Sequence, residues 1–137
     1  MITEDYCSLE VSKLLKKKGF DEICEYEYGI PNVDNGYVLQ RFFKPIKNPE
    51  LIDDAYAVPT LQRAMKWLRE VHNIHINLDV HWLYFANALG WMYAITKILE
   101  NGVDYICSNG DENDKTFYST YEEACEAAIK YCLKNLI

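Results

Sequence analysis

Basic residues are in short supply: 14 Lys and Arg stand against 21 Asp and Glu, a formal net charge of -7 over 137 residues. Non-specific nucleic-acid affinity comes largely from Lys and Arg displacing counterions from phosphates, so a chain this acidic disfavours general nucleic-acid binding. The five cysteines, Cys7, Cys24, Cys107, Cys125 and Cys132, are odd in number, far apart and without a Cys-x-x-Cys pair. That argues against a disulfide framework or a zinc ribbon and for a reducing compartment. The first residues, MITEDYC, lack the basic start and apolar run of a secretory signal, so the cytoplasm is the expected location. The uncharged stretch Trp82 to Thr96 is shorter than the roughly 20 apolar residues of a membrane-spanning helix and has Asn87 and Gly90 near its middle. It reads as strand, turn, strand, and no membrane partner is expected.

Signature motifs are missing as well. There is no G-x-G-x-x-G, no phosphate-binding loop and no G-x-S-x-G, and no cofactor is expected. The segment NGDENDKTFYST begins like a calcium loop, but counting from Asp111 puts Thr116 where the EF-hand needs glycine. A cysteine nucleophile requires a histidine brought close in space, and Cys107, near a loop, is the exposed candidate. The only histidines are His72, His75 and His81.

What is present is an amphipathic chain, half of it apolar, enough to fill one core without metals or disulfides. A single domain over residues 1–137 is the default expectation. Three segments have helical periodicity. SLEVSKLLKKKGF starts at Ser8, a good N-cap, and ends in three lysines and Gly19, which suit the negative end of the helix dipole and a left-handed cap. PTLQRAMKWLREVHN starts at Thr60 and carries the stripe Leu61, Ala64, Met65, Leu68 and Val71. STYEEACEAAIKYCLKNLI gathers Tyr121, Ala124, Cys125, Ala128, Ile129, Cys132, Leu133 and Leu136 on one face, with Glu122, Glu126, Lys130 and Lys134 opposite.

Between them lie strand-like runs: EICEYEYG, then GYVLQRFF after the hairpin signal Asn35-Gly36, and later IHINLDVHW, WMYAITKIL and a short TFYS. The order α-β-β-(β)-α-β-β-(β)-α, with short connections, predicts an α+β fold: three helices and an antiparallel sheet of about five or six strands. Thr60 and Thr120 each precede a large apolar residue and stand four residues before Ala64 and Ala124. This faint repetition is compatible with a weak internal duplication or with two independently capped helices.

Within IHINLDVHW, apolar residues alternate with His75, Asn77, Asp79 and His81. At about 3.3 Å per residue His75 and His81 lie roughly 20 Å apart, too far to share a metal ion. One buried face of Ile74, Ile76, Leu78, Val80 and Trp82 explains the pattern without chemistry. A metal or acid/base site at Asp79 and His81 is the chemical alternative, because a carboxylate two residues away can orient a histidine. A second alternative is nucleic-acid binding through residues 41–69, where Arg41, Lys44, Lys47, Arg63, Lys66 and Arg69 outnumber Glu50, Asp53 and Asp54.

Eleven tyrosines, many of them in strand-like runs, stabilise cross-strand pairs or supply an interface. Tyr26 and Tyr28 on the first strand, and Trp67, off the stripe of the second helix, are the candidate binding residues.

The segments SLEVSKLLKKKGF, VPTLQRAMKWLREVHNIHI and YSTYEEACEAAIKYCL resemble a family of small uncharacterised proteins encoded by gut anaerobic bacteria and by their phages and mobile elements. The resemblance covers about a third of the chain, mostly helix caps and apolar stripes, and implies no catalytic residue or ligand at any position. With it, the expectation is a non-enzymatic cytoplasmic module that binds a protein partner or itself, an accessory protein of a mobile element.

Overall fold

The computed structural model describes residues 1–29, 36–109 and 117–137. The expected element order is observed: α1 (Leu9–Lys17), β1 (Cys24–Tyr28), β2 (Leu39–Ile46), β3 (Tyr56–Val58), α2 (Leu61–His72), β4 (Ile74–Leu83), β5 (Ala88–Leu99), β6 (Gly102–Ser108) and α3 (Tyr121–Asn135). The fold is α+β with antiparallel pairing throughout the described strands. The described strands form two three-stranded sheets instead of one, ordered β2-β1-β3 and β4-β5-β6. The chain divides into two compact units, Met1–Arg63 and Ala64–Ile137.

In the first unit, the Ser8 hydroxyl accepts from Val11 N–H at 3.2 Å and caps α1, and Gly19 follows the helix in the left-handed region at φ +90°. Val11 and Leu15 are buried with Phe20, Cys24, Ala57 and Val58. Asn48, 2% exposed, ties this core together: its Nδ2 donates to Phe20 O at 3.0 Å and its Oδ1 accepts from Ala57 N–H at 2.8 Å. One buried amide thereby satisfies two backbone groups of this core. Lys16 Nζ donates to the carbonyls of Ile52 and Ala55, both at 2.7 Å. The described ladder of β1 with β2 begins at Tyr28 opposite Leu39. Gly36 has the positive φ of +62° that such a turn would use, and Asn35 lies outside the described residues.

In the second unit, β4 and β5 pair over ten residues without a break, from Ile74 opposite Lys97 to Leu83 opposite Ala88. Strand, turn, strand across Trp82–Thr96 is what the chain forms, with Asn87 at φ +48° in the turn. β6 over Gly102–Ser108 stands beside β5 where the short TFYS was expected; of that run Thr116 lies outside the described residues, and Tyr118 makes an isolated bridge to Trp91. Short β-branched and aromatic runs read alike, and the Asn101-Gly102 turn was the overlooked signal.

The apolar face of α3 is buried as its periodicity predicts, from Ala124 and Cys125 through Ala128 and Ile129 to Cys132 and Leu133. Thr120 caps the helix by accepting from Glu123 N–H at 3.1 Å. On α2, Leu61, Ala64 and Leu68 are buried, but Val71 is 55% exposed and Trp67 only 5%. A stripe records the angle of a side chain around the helix and not how far along its axis the packing extends, which accounts for the exposure of Val71 in the last turn. The two sheets differ in strand order. The shared cap-and-alanine pattern therefore does not extend to the way the described strands connect.

Candidate functional site

The alternation in β4 ends half way. Ile74 and Ile76 are 1% and 7% exposed, whereas Val80 and Trp82 on the same face are each 47% exposed. The expected buried stripe thus covers only the first half of the strand. Residues directly opposite each other in an antiparallel ladder share a face. Ile76 therefore lies with Ile95, Leu78 with Tyr93, Val80 with Trp91 and Trp82 with Leu89. Ile95 and Tyr93 are buried, Trp91 meets the Tyr121 ring at the start of α3 edge-on at 5.5 Å, and Leu89 is again 53% exposed. Tyr121 is the first residue of α3, so the apolar face becomes exposed where the helix begins. The turn beyond adds Tyr84 and Phe85, 87% and 84% exposed.

Val80, Trp82, Tyr84, Phe85 and Leu89 therefore form an uncovered apolar end on the β4–β5 hairpin. Single exposed apolar side chains are ordinary; five large ones on one hairpin, two of them more than four-fifths exposed, mark a contact surface. Gly90 allows the hairpin its close packing: a Cβ there would stand 2.6 Å from Leu83 Cδ1 and 3.0 Å from Phe117 Cβ. The sequence reading missed this surface because period-two alternation reports which residues share a face and is silent on whether anything lies over it.

On the opposite face, Asp79 and His81 are both exposed. Asp79 Oδ2 accepts from Asn77 Nδ2 at 3.2 Å, and His81 meets the Phe117 ring edge-on at 6.0 Å. Asp79 is engaged by its other neighbour on the strand. Among the described residues no group of three His, Cys, Asp or Glu side chains is placed to hold a metal ion.

Trp67 is buried, with the His72 ring edge-on at 4.7 Å, and so does not present itself to a partner as an exposed anchor. Tyr26 and Tyr28 are half-buried on the central strand of the first sheet; Tyr26 packs on Tyr6 with ring centroids 4.6 Å apart, and Tyr28 Oη donates to Cys7 O at 3.3 Å. Both rings are engaged within their own unit. A neighbouring cluster has Tyr37 and Tyr56 at 6.0 Å with the Lys13 ammonium over both rings and the Lys16 ammonium over Tyr56. Burial is the first cause that raises the Tyr56 phenol above its ordinary value.

The arginines of segment 41–69 meet carboxylates: Arg41 with Glu25 at 3.7 Å, Arg63 with Glu22 at 3.8 Å and Arg69 with Glu70 at 3.9 Å. All three pairs are solvent-exposed and weak, yet they offset the local excess of positive charge. Cys107, expected near a loop, lies in β6 and is 7% exposed. All five cysteines are buried and outside any disulfide, and burial pushes the Cys24 thiol up to about 11 and those of Cys125 and Cys132 up to about 12. Such thiols hold too little thiolate near neutral pH to act as nucleophiles.

Among the described residues no helix is long and apolar enough to cross a membrane. Comparison with known proteins brings no match to a family model, a curated sequence or a solved structure.

Proposed function

We propose that this chain is a non-enzymatic protein-interaction module that binds through the apolar end of the β4–β5 hairpin. The observation that carries the reading is the joint exposure of Trp82, Tyr84 and Phe85, at 47%, 87% and 84%. Aromatic residues at the centre of a patch supply most of the binding energy of protein interfaces, because they bury a large area at a small cost in side-chain entropy. The chemical alternative at Asp79 and His81 has less behind it, since the two side chains have different neighbours and no third ligand stands near among the described residues. Nucleic-acid binding through residues 41–69 is likewise weaker, with its arginines facing carboxylates. A cytoplasmic accessory role in a phage or mobile element fits the resemblance of the three helical segments.

The test is affinity purification of the tagged chain from its host, in parallel with the Trp82→Ser, Phe85→Ser double variant. A stoichiometric protein, or the chain itself, recovered with the parent and lost with the variant supports the reading. Identical recovery from both sinks it.

A further inference from the structure

Resting on the hairpin as the contact surface, we infer that its occupant is a second copy of this chain, joined by antiparallel pairing of β4 with β4 of the second copy about a two-fold axis at Val80. Three observations lead there. The first is the state of the sheet edges. A strand edge is a row of unpaired backbone donors and acceptors, and proteins blunt it with proline, lysine, bulges or shortness. Among the described residues the outer strands are β2, β3, β4 and β6. β2 carries Arg41, Lys44 and Pro45 and a register shift in its ladder, β3 has three residues, and β6 has a register shift. β4 has ten residues in an unbroken ladder with β5 and contains no proline, lysine or arginine.

The second observation is position. Asp79, Val80, His81 and Trp82 are consecutive exposed residues of that open strand. An axis at Val80 places the exposed part against its own copy and leaves the buried start of the strand outside.

The third is complementarity. In that register Val80 faces Val80 of the second copy, and Leu78 faces the second copy's Trp82, twice by symmetry. On the other face Asp79 lies opposite the second copy's His81, again twice, so each carboxylate receives an imidazole N–H donor. The Asn77 contact uses one Asp79 oxygen and leaves the other to accept. Apolar residues meet apolar ones and acid meets base, and the two sheets become one of six strands. An isologous contact of this kind closes on itself and needs no further copy.

Light scattering after size exclusion, over micromolar concentrations, is the first readout: the inference expects twice the chain mass of 16.0 kDa. His81→Asp sets carboxylates opposite each other and Asp79→His removes both acceptors, and each single change weakens the dimer by about tenfold or more. The double swap Asp79→His, His81→Asp restores opposite partners and recovers the dimer, which a merely local role of either residue would not do. In a second experiment, Val80→Cys forms an intermolecular disulfide under mild oxidation and Asn77→Cys does not. Circular dichroism establishes that each variant is folded. A monomer at every concentration, or a dimer indifferent to the swaps and to Val80→Cys, overturns the inference. A monomer that still retains a partner through Trp82 and Phe85 overturns the second copy alone and leaves the interaction reading in place.

Discussion

Asn109 and Tyr93 exchange two hydrogen bonds: Asn109 N–H donates to Tyr93 O at 3.0 Å, and Tyr93 N–H donates to Asn109 Oδ1 at 2.9 Å. Asn109 holds this position at φ +47°, where its side chain takes over the ladder as β6 ends; the next bonds along β5 are those of Trp91 with Tyr118, at 2.8 and 2.7 Å.

Asn109→Ala removes the acceptor from a buried N–H, a loss of about 1–3 kcal/mol, and adds roughly 1–2 kcal/mol of strain in the left-handed region. Asn109→Gly removes only the first contribution. Urea unfolding should rank parent above glycine above alanine, and an alanine variant as stable as the parent would show that the bond has no such role.

The His72 side chain makes stability depend on pH. Its Nε2 is buried without a hydrogen-bond partner, and burial first, then the Lys97 ammonium, lowers its pKa from the ordinary 6.5. The unfolded chain therefore takes up the proton more readily. Stability from this group is complete above about 6.5, falls as pH drops through that value towards the lower folded one, and levels off beneath it. His72→Gln should flatten this part of the urea-midpoint profile between about pH 8 and pH 5, while an unchanged slope would place the dependence elsewhere.

Thiol reactivity tests the cores of both units. All five cysteines are buried, so a disulfide exchange reagent should label essentially none in the native protein and all of them in denaturant. Rapid labelling of Cys125 or Cys132 under native conditions would show that α3 does not pack as described.

Tyr84→Ser with Phe85→Ser removes apolar surface that supports nothing beneath it. Unfolding stability should change by less than about 0.5 kcal/mol, as for other surface positions. A large destabilisation would show that the turn is part of the fold's support and not a free surface.

Much of the architecture is legible in the sequence. Ser8 and Thr120 announce helix starts because a side-chain oxygen two or three residues before unpaired N–H groups is a local device. The α3 stripe is legible for the same reason: its period and its buried face coincide along the whole helix. Local chemistry likewise determined the element order and the strand–turn–strand at Trp82–Thr96.

Tertiary structure decided what covers each face. Val71 and Trp67 exchanged environments, Cys107 went into the sheet, and the strands divided into two sheets. Val80 and Trp82 continue the pattern of Ile74 and Ile76 without a break, yet their face becomes exposed where α3 begins. Periodicity assigns side chains to a side of the strand through the covalent geometry of the backbone alone. Burial depends on how far a separate element reaches across that side, and that length is settled only when the chain has folded.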